Sequence, residues 1–283
     1  MIHVQGLEFG YKRSRKVFRG LGLELGQGSI TGLLGRNGEG KTTLLKLLTG
    51  QLLRQSGQLE VLGHDPKRRQ VPFLQQVYLL PEEVNVPSIS IGKFFEVNGA
   101  FYPNYDAAMG SELLQIFSLS PEMNLKKISQ GQKKKALIAF ALALRVPLLL
   151  MDEPTNGLDI PSKSEFRRVL AQYTSDEQTI IISTHQVRDL EQIIDSVLVL
   201  EQGQIICQAT VSEIASRLRF APVQPGEATQ PLYTEQSPLG LLGVFARGED
   251  EEAEDFSMEL CFNALLAARP AVLSALQSQD LTK

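Results

Sequence analysis

The stretch GRNGEGKTT, residues 35–43, places three glycines, a lysine and two threonines within nine positions. Gly35, Gly40, Lys41 and Thr42 match the pattern G-x-x-x-x-G-K-[ST]. The apolar segment SITGLL precedes this stretch and TTLLKLL follows it, which predicts a strand, a loop and a helix. A loop that turns its backbone N–H groups toward a phosphate needs unusual dihedral angles and little side-chain bulk, and glycines allow both.

The same stretch supplies the charge and the hydroxyl that a bound nucleotide requires. The helix that begins near Gly40 would direct the positive end of its dipole at a phosphate. Lys41 would contact the β and γ phosphates, and the Thr42 hydroxyl is suited to ligate Mg²⁺. A chance glycine turn is the alternative, and the strand–loop–helix context argues against it. The predicted phosphate-binding residues are Gly35, Asn37, Gly38, Gly40, Lys41, Thr42 and Thr43.

Two adjacent carboxylates follow an apolar strand in LLLMDEP, residues 148–154. Parallel sheets bind ligands at the carboxyl ends of their strands, where Asp152 and Glu153 would lie. Asp152 could hold Mg²⁺ through water, and Glu153 could orient and deprotonate an attacking water. A strand end capped by solvated acids is the alternative, and the phosphate-binding loop favours the catalytic interpretation.

Composition limits the function classes. The 283 residues suggest one large domain with an appendage, or two domains. A net charge of −4 is unlike that of a nucleic-acid-binding protein, so no nucleic-acid partner is expected. The basic clusters KRR (67–69) and KKK (133–135) lack interleaved aromatic residues and are predicted to be solvated. Two isolated cysteines and three histidines make a zinc site improbable.

No segment has the features of a signal peptide or a membrane helix. The amino-terminal residues contain no apolar core of signal-peptide length. The most apolar run, residues 136–151, is interrupted by Arg145 and Pro147 and is shorter than the roughly 20 residues that a spanning helix needs. We therefore expect a cytosolic chain whose membrane role requires a partner.

Hydrophobic patterns divide the chain into regions. Short alternating segments with glycines predict strands in an antiparallel or mixed sheet over residues 1–34, and residues 88–145 favour a helical insert. PLLLMDEP, QTIIISTH and DSVLVLEQGQII give three buried-strand patterns, with the amphipathic KSEFRRVLAQY between them. This alternation predicts parallel strands with crossover helices.

The character of the sequence changes after residue 210. Proline and glycine make residues 221–231 a candidate linker. A hairpin and one or two helices are predicted beyond it. The acidic stretch GEDEEAED, residues 248–255, is expected to form a solvated hairpin loop.

Six motifs occur in a fixed order: Tyr11, the phosphate-binding loop, ISQGQ (128–132), LLLMDEP, NGLD (156–159) and His185 in IISTHQ. The set resembles the ATP-binding subunit of an ABC transporter over residues 1 to about 210. The resemblance implies an α/β fold, a P-loop NTPase with a RecA-like core, an amino-terminal antiparallel β-subdomain and a helical subdomain near residues 85–146. Residues 211–283 would form a small α+β appendage. FYPNYD (101–106) and the single cassette resemble bacterial exporter-type subunits that pair with a separate membrane permease.

The resemblance also assigns roles to single residues. Tyr11 would stack on adenine, and His185 would contact the γ phosphate and the attacking water, so Lys41, Glu153 and His185 form the catalytic set. Ser129, Gly131 and Gln132, at the start of a helix, would face a γ phosphate held by the other subunit, and Asp159 would lie across the same interface. The alternatives are that Tyr11 and His185 have only structural roles, and that Ser129 only caps an ordinary helix.

Two positions depart from the family pattern. Gln130 stands in ISQGQ where the family often has glycine, and the remaining residues of the motif are kept. VYLLPEE, residues 77–83, places Glu82 where the family has a glutamine near Mg²⁺. We hypothesise that Glu82 reaches the metal and tightens its binding, so the predicted metal-binding residues are Thr42, Glu82 and Asp152.

The implied cofactors are ATP and Mg²⁺, and the implied partners are a transmembrane permease and a second copy of the chain or a homologous ATPase subunit. Residues 83–105 would dock on the coupling helix of the permease, at the cytoplasmic face of the membrane. Two alternatives remain. One is a soluble ABC-type ATPase that acts on ribosomes or DNA, although such chains usually carry two cassettes or a long coiled-coil insertion. The other is a nucleotide-gated regulatory module without transport.

Overall fold

A computed structural model of the chain describes residues 1–12, 16–224, 230–238, 240–248 and 256–277. Most of the predicted acidic loop, residues 249–255, therefore lies outside the described residues. The same holds for residues 225–229 of the predicted linker, whose first two residues end a strand.

The described residues form strands, α-helices and two short 3-10 helices at Pro66–Arg68 and Val187–Asp189. The strands are β1 (Ile2–Phe9), β2 (Phe18–Leu25), β3 (Ile30–Leu34), β4 (Ser56–Val61), β5 (Val77–Leu80), β6 (Leu148–Asp152), β7 (Thr179–Thr184), β8 (Ser196–Glu201), β9 (Gln204–Thr210), β10 (Leu218–Pro222), β11 (Tyr233–Ser237) and β12 (Gly240–Ala246). The α-helices are α1 (Lys41–Leu48), α2 (Val71–Leu74), α3 (Ile91–Gly99), α4 (Ala107–Ile116), α5 (Gln130–Ala143), α6 (Ile160–Tyr173), α7 (Val211–Arg217), α8 (Met258–Ala267) and α9 (Arg269–Gln277).

The central sheet has six strands in the order β5-β6-β7-β3-β8-β9. The first five are parallel, as the sequence predicts for β6, β7 and β8. Strand β3, predicted with residues 1–34 in an antiparallel or mixed sheet, lies between β7 and β8 and is parallel to both. Both faces of the sheet are covered, which explains why β6 and β7 consist of fully buried residues. DSVLVLEQGQII differs from the prediction, because it forms a hairpin in which β9 runs antiparallel to β8. The turn falls at Gln202 and Gly203, which both have positive φ and reverse the chain.

A second sheet, antiparallel in the order β2-β1-β4, lies beside the first. Its alternating apolar residues join a core with α1 and with one face of the central sheet. Helix α1 begins after Gly40 and ends near Gly50, whose φ of 71° is the left-handed conformation that commonly ends a helix. This packing holds the first turn of α1 in place, and that turn carries Lys41 and Thr42.

The helical insert consists of α3, α4 and α5, which pack around Phe140 and cover the opposite face of the central sheet. Each helix has a side-chain cap, from Ser90, Asp106 and Ser129 respectively. The predicted solvation of the basic clusters is correct for residues 67–69 and wrong for Lys134, which is only 8% exposed.

The carboxyl-terminal appendage contains α7, an antiparallel sheet in the order β10-β12-β11, and helices α8 and α9. Its apolar residues, such as Phe220 and Met258, belong to the core that also covers the central sheet. Helix α8 contacts the segment after His185, where the Glu191 carboxylate accepts a hydrogen bond from the Met258 backbone N–H.

No single helix among the described residues is both long and apolar enough to cross a membrane. Helices α8 and α9 pass that test only as a pair, and the chain bends by 116° between them.

Candidate nucleotide-binding site

A cleft of about 1140 Å³ opens where strands β3, β5, β6 and β7 end. Because these strands are parallel, the residues that follow them meet at one edge of the sheet. The lining residues that the sequence analysis predicted are Tyr11, Asn37, Gly38, Gly40, Lys41, Thr42, Thr43, Glu82, Asp152, Glu153 and His185.

The phosphate-binding loop needs glycine at particular positions. Gly38 and Gly40 have φ angles of 89° and 108°, in the left-handed region that favours glycine. Gly35 has no unusual φ, but a Cβ there would lie 2.6 Å from the carbonyl oxygen of Leu200 on β8. The loop therefore approaches the sheet too closely for a side chain at its start.

Lys41 is buried beneath this loop. Its Nζ donates hydrogen bonds to the carbonyl oxygens of Gly35, at 2.7 Å, and Arg36, at 3.4 Å, and lies 3.7 Å from Glu153 Oε1. Burial lowers the pKa of the ammonium below its usual range, and Glu153 and Asp152 oppose that shift. A cation held in this way suits a poorly solvated anion such as a phosphate.

Two of the three residues predicted to hold Mg²⁺, Thr42 and Asp152, contact each other. Thr42 Oγ1 donates a hydrogen bond to Asp152 Oδ2 at 2.7 Å, and Ser183 Oγ donates to Asp152 Oδ1 at 2.5 Å. Among the described residues, no three His, Cys, Asp or Glu side chains form a metal-binding group. A hydroxyl and a carboxylate fit Mg²⁺ nevertheless, because this ion usually keeps several waters and takes other ligands from substrate phosphates.

Glu153 and His185 contact each other, with 2.8 Å between Glu153 Oε1 and His185 Nδ1. Glu153 is buried and has a φ of 46°, which is uncommon for a residue other than glycine. The backbone N–H of Glu153 donates a hydrogen bond to the Ser183 carbonyl oxygen at 3.1 Å. The Glu153 carbonyl oxygen in turn accepts one from the Asn156 N–H at 3.2 Å. Strained backbone of this kind persists where surrounding contacts fix it, often at functional sites.

Glu82 lies in the same cleft and is exposed. Its Oε1 accepts a hydrogen bond of 2.7 Å from Asn156 Nδ2, which joins the loop after β5 to the loop after β6. The carboxylate is therefore positioned at the cleft that holds Asp152 and Glu153, as the alignment of VYLLPEE predicts.

Tyr11 stands at the outer end of the cleft with 63% of its surface exposed. The ring packs edge-on against Phe9, with 5.2 Å between centroids, and its hydroxyl lies 3.0 Å from Thr43 Oγ1. These contacts orient a ring that is too exposed to be a core aromatic.

Five predicted residues do not line the cleft: Gly35, at the start of the phosphate-binding loop, and Ser129, Gly131, Gln132 and Asp159. Ser129 and Gln132 form a capping box at the start of α5, and Asp159 caps α6 through the Ser162 N–H at 2.9 Å. Hydrogen bonds from Ser162 lower the pKa of Asp159, which keeps it ionised. The two helix starts are neighbours, since a Cβ on Gly131 would lie 3.7 Å from the Gly157 carbonyl oxygen.

Several residues of the site were not predicted from the sequence. Lys134 donates hydrogen bonds to backbone oxygens beside the cleft, and Ser183 holds Asp152. Lys12, Lys16 and Arg19 add positive charge near Tyr11. No spacing in the sequence separates Lys134 from Lys133 and Lys135, because all three lie four residues before an apolar residue of α5.

Comparisons with known proteins agree with this geometry. The family model described as ABC transporter matches residues 18–156. The bacitracin transport ATP-binding protein BcrA of Bacillus licheniformis is 31% identical over 73% of this chain and 69% of its own length. The ABC transporter ATP-binding protein YtrB of Bacillus subtilis is 26% identical over 87% of this chain and 86% of its own.

Solved structures share the fold. One described as the ATP-binding subunit of an ABC transporter superposes with a TM-score of 0.68, at 23% identity over 76% of this chain and 91% of that one. Together, the family model and the sequence relatives show that the chain belongs to the ABC transporter family as an ATP-binding subunit. The members of this family are ATPases coupled to transport.

Proposed function

We propose that this chain hydrolyses ATP with Mg²⁺ in a site completed by a second copy of itself, and that it drives export through a separate membrane permease. The observation that carries the proposal is the division of the predicted ATP-binding residues into two groups. One group lines the cleft, whereas the starts of α5 and α6 lie outside it.

The cleft would bind the nucleotide along its length. Tyr11 stacks on the base, the phosphate-binding loop surrounds the phosphates and Lys41 neutralises part of their charge. Thr42 and Asp152 would hold Mg²⁺, with Glu82 beside them, and the ion would neutralise charge on the β and γ phosphates.

Glu153 is the general base in this mechanism. Its carboxylate accepts a proton from the attacking water, and His185, 2.8 Å away, holds that carboxylate in place. Because His185 also lines the cleft, its other ring nitrogen can contact the γ phosphate.

The second group of residues would complete the partner's site. The amino terminus of α5, with Ser129, offers N–H groups and a positive dipole end to a γ phosphate. Next to it, Asp159 is exposed, and Ile160 exposes 83% of its surface. A surface that combines the charged Asp159 with the apolar Ile160, beside the amino terminus of α5, suits contact with a second copy.

Export and a membrane partner rest on the relatives. One is named for bacitracin transport, and another, from Streptomyces coeruleorubidus, is the daunorubicin resistance protein DrrA3, 28% identical over 75% of this chain and 69% of its own length. In this chain, residues 83–105 would contact the permease at the inner face of the membrane. Within them, Val97 and Phe101 expose 47% and 67% of their surfaces, as an apolar docking site would.

The shared site is tested by measuring Mg²⁺-dependent ATP hydrolysis against protein concentration. We expect the rate per chain to rise with concentration, because each site needs the α5 start of another chain. A rate per chain that stays constant while the protein remains monomeric would contradict the shared site. RNA or DNA that copurifies through high salt would instead favour the soluble class of ABC-type ATPase.

Replacing Glu82 by glutamine tests its proposed role at the metal. The Mg²⁺ concentration for half-maximal ATPase rate should rise about tenfold in Glu82→Gln, the lower end of what loss of an outer-shell metal partner costs. Glu83→Gln, which removes the same charge one residue later, is the matched control and should keep the wild-type curve. Identical Mg²⁺ curves for Glu82→Gln and wild type would remove Glu82 from the metal site.

A further inference from the structure

Lys134 is a buried cation on α5, the helix that begins with the ISQGQ motif. Its Nζ donates hydrogen bonds to the backbone carbonyl oxygens of Glu82, at 2.8 Å, and Glu153, at 3.2 Å. Lysine is almost never fully buried unless its charge is compensated. Here the compensating charges are the carboxylates of Glu82, Asp152 and Glu153, which all act on the ammonium.

The charges in this region nearly balance. Two buried ammonium groups, those of Lys41 and Lys134, lie among the three carboxylates of Glu82, Asp152 and Glu153. A glutamate at position 82 adds one negative charge to a site that must also accept a nucleotide. Lys134 adds one positive charge in the same place, so the two residues together leave the net charge of the site unchanged.

The same contacts connect three parts of the fold. Helix α5 belongs to the helical insert, Glu82 follows β5, and Glu153 follows β6. Because Lys134 binds the carbonyl of Glu153, it helps to fix a residue whose φ of 46° requires support from its surroundings. A shift of α5 would therefore move the two loops that carry Glu82 and Glu153.

We propose that Lys134 is a positioning residue for ATP hydrolysis, which fixes the Glu82 and Glu153 loops to the start of α5 and balances the charge of Glu82. The inference rests on the proposed function for its kinetic consequences, whereas its structural part concerns the chain without nucleotide. Lys134 acts through the two loops and not on the phosphates, since its hydrogen bonds go to backbone oxygens outside the phosphate-binding loop.

The structural part is tested by hydrogen exchange on the nucleotide-free chain. In Lys134→Gln, the amides of Glu153 and Asn156, which both donate backbone hydrogen bonds, should exchange about tenfold faster, the order expected for loss of a hydrogen bond to a charged group. Amides of α1 should keep their rates. Lys133→Gln, which removes the same charge one position earlier on α5, is the control and should leave the exchange of all these amides unchanged.

Exchange that is unchanged at Glu153 and Asn156 would overturn the proposal, and so would exchange that is faster throughout the chain. The first result would mean that Lys134 does not fix the Glu153 loop, and the second that it only supports the fold. Neither result depends on whether the protein hydrolyses ATP, so failure here is distinct from failure of the proposed function.

The kinetic part separates positioning from binding. In Lys134→Gln we expect kcat to fall about tenfold, while the affinity for ATP without Mg²⁺ falls much less than kcat does, because Lys134 contacts the two loops and not the phosphates. Lys134→Arg keeps the charge and should retain more of kcat than Lys134→Gln does. In the double variant Glu82→Gln/Lys134→Gln, the loss of kcat should be smaller than the product of the single losses, because the residues compensate each other.

Three kinetic outcomes would overturn the proposal: losses of kcat that multiply in the double variant, an ATP affinity that falls as much as kcat, or a Lys134→Arg variant no better than Lys134→Gln. Multiplying losses would show that Lys134 and Glu82 act independently. Equal losses of affinity and kcat would show that Lys134 serves nucleotide binding.

Discussion

Glu153→Gln is expected to bind ATP and to lose its hydrolysis by a factor of about 10²–10⁴, the usual contribution of a general base. Glutamine has nearly the same shape and can still contact His185, but it cannot accept the proton of the attacking water. Glu153 also lies outside the phosphate-binding loop, so the binding surface for the phosphates is preserved. Steady-state phosphate release and ATP binding, measured on the same preparation, check this expectation.

The same variant should accumulate as an ATP-bound dimer. If ATP binds between two copies and hydrolysis separates them, blocking hydrolysis keeps ATP bound, and the bound ATP stabilises the dimer by mass action. Size-exclusion chromatography with and without ATP measures the change. Glu60→Gln, an exposed glutamate on β4, is the control and should remain active and release its dimer.

A Glu153→Gln variant that hydrolyses ATP within about threefold of wild type would assign the base to another residue. Asp152 would then be the nearest remaining carboxylate, but it accepts hydrogen bonds from Thr42 and Ser183 at both of its oxygens. These contacts leave Glu153 better placed for proton transfer.

The parts of the site that are local in sequence could be predicted from sequence. Few sequences can form a phosphate-binding loop, because glycines, a lysine and a hydroxyl must occur at fixed spacing for backbone N–H groups to reach a phosphate. Asp152 and His185 were predictable for a related reason. Each follows an apolar strand, and the ends of parallel strands meet at one edge.

Lys134 could not be placed in the same way, because its burial depends on segments distant in sequence. The nearest carboxylates come from positions 82 and 152–153, which only the packed sheet brings to α5. Within the sequence, the run KKK is typical of a solvated surface. The contact of Glu82 with Asn156 is equally non-local, since 74 residues separate them.

The hairpin β8–β9 shows a second reason why part of the fold could not be predicted from the sequence. The apolar runs of β8 and β9 predict one strand pattern, although the chain reverses at Gln202 and Gly203, which both have positive φ angles. Gly203 is the one sequence signal for this turn, because glutamine rarely adopts a positive φ. The reversal matters for the site, because it places Gln202 and Gly203 at the cleft wall.

Lys41→Ala is expected to weaken ATP binding by about 100-fold. Hydrogen bonds to charged groups contribute about 1.5–3 kcal/mol each, and 1.4 kcal/mol corresponds to a factor of ten. The ammonium is buried, so its attraction to a phosphate is poorly screened, and its removal leaves Asp152 and Glu153 to repel the nucleotide. Calorimetric titration with ATP in a Glu153→Gln background measures the affinity without consuming the ligand.

Lys46→Ala is the matched control for this prediction, because Lys46 lies on the same helix, near its other end, and does not line the cleft. It should change the dissociation constant by less than about twofold, since helix-end charges contribute only about 0.3–1 kcal/mol to helix stability. Lys41→Arg should fail to restore binding, because the buried site beneath the loop fits a compact ammonium and not a planar guanidinium. If Lys41→Ala instead binds ATP within about threefold of its background, the phosphates are held by the loop's N–H groups alone, and the ammonium serves only to hold the loop through Gly35 and Arg36.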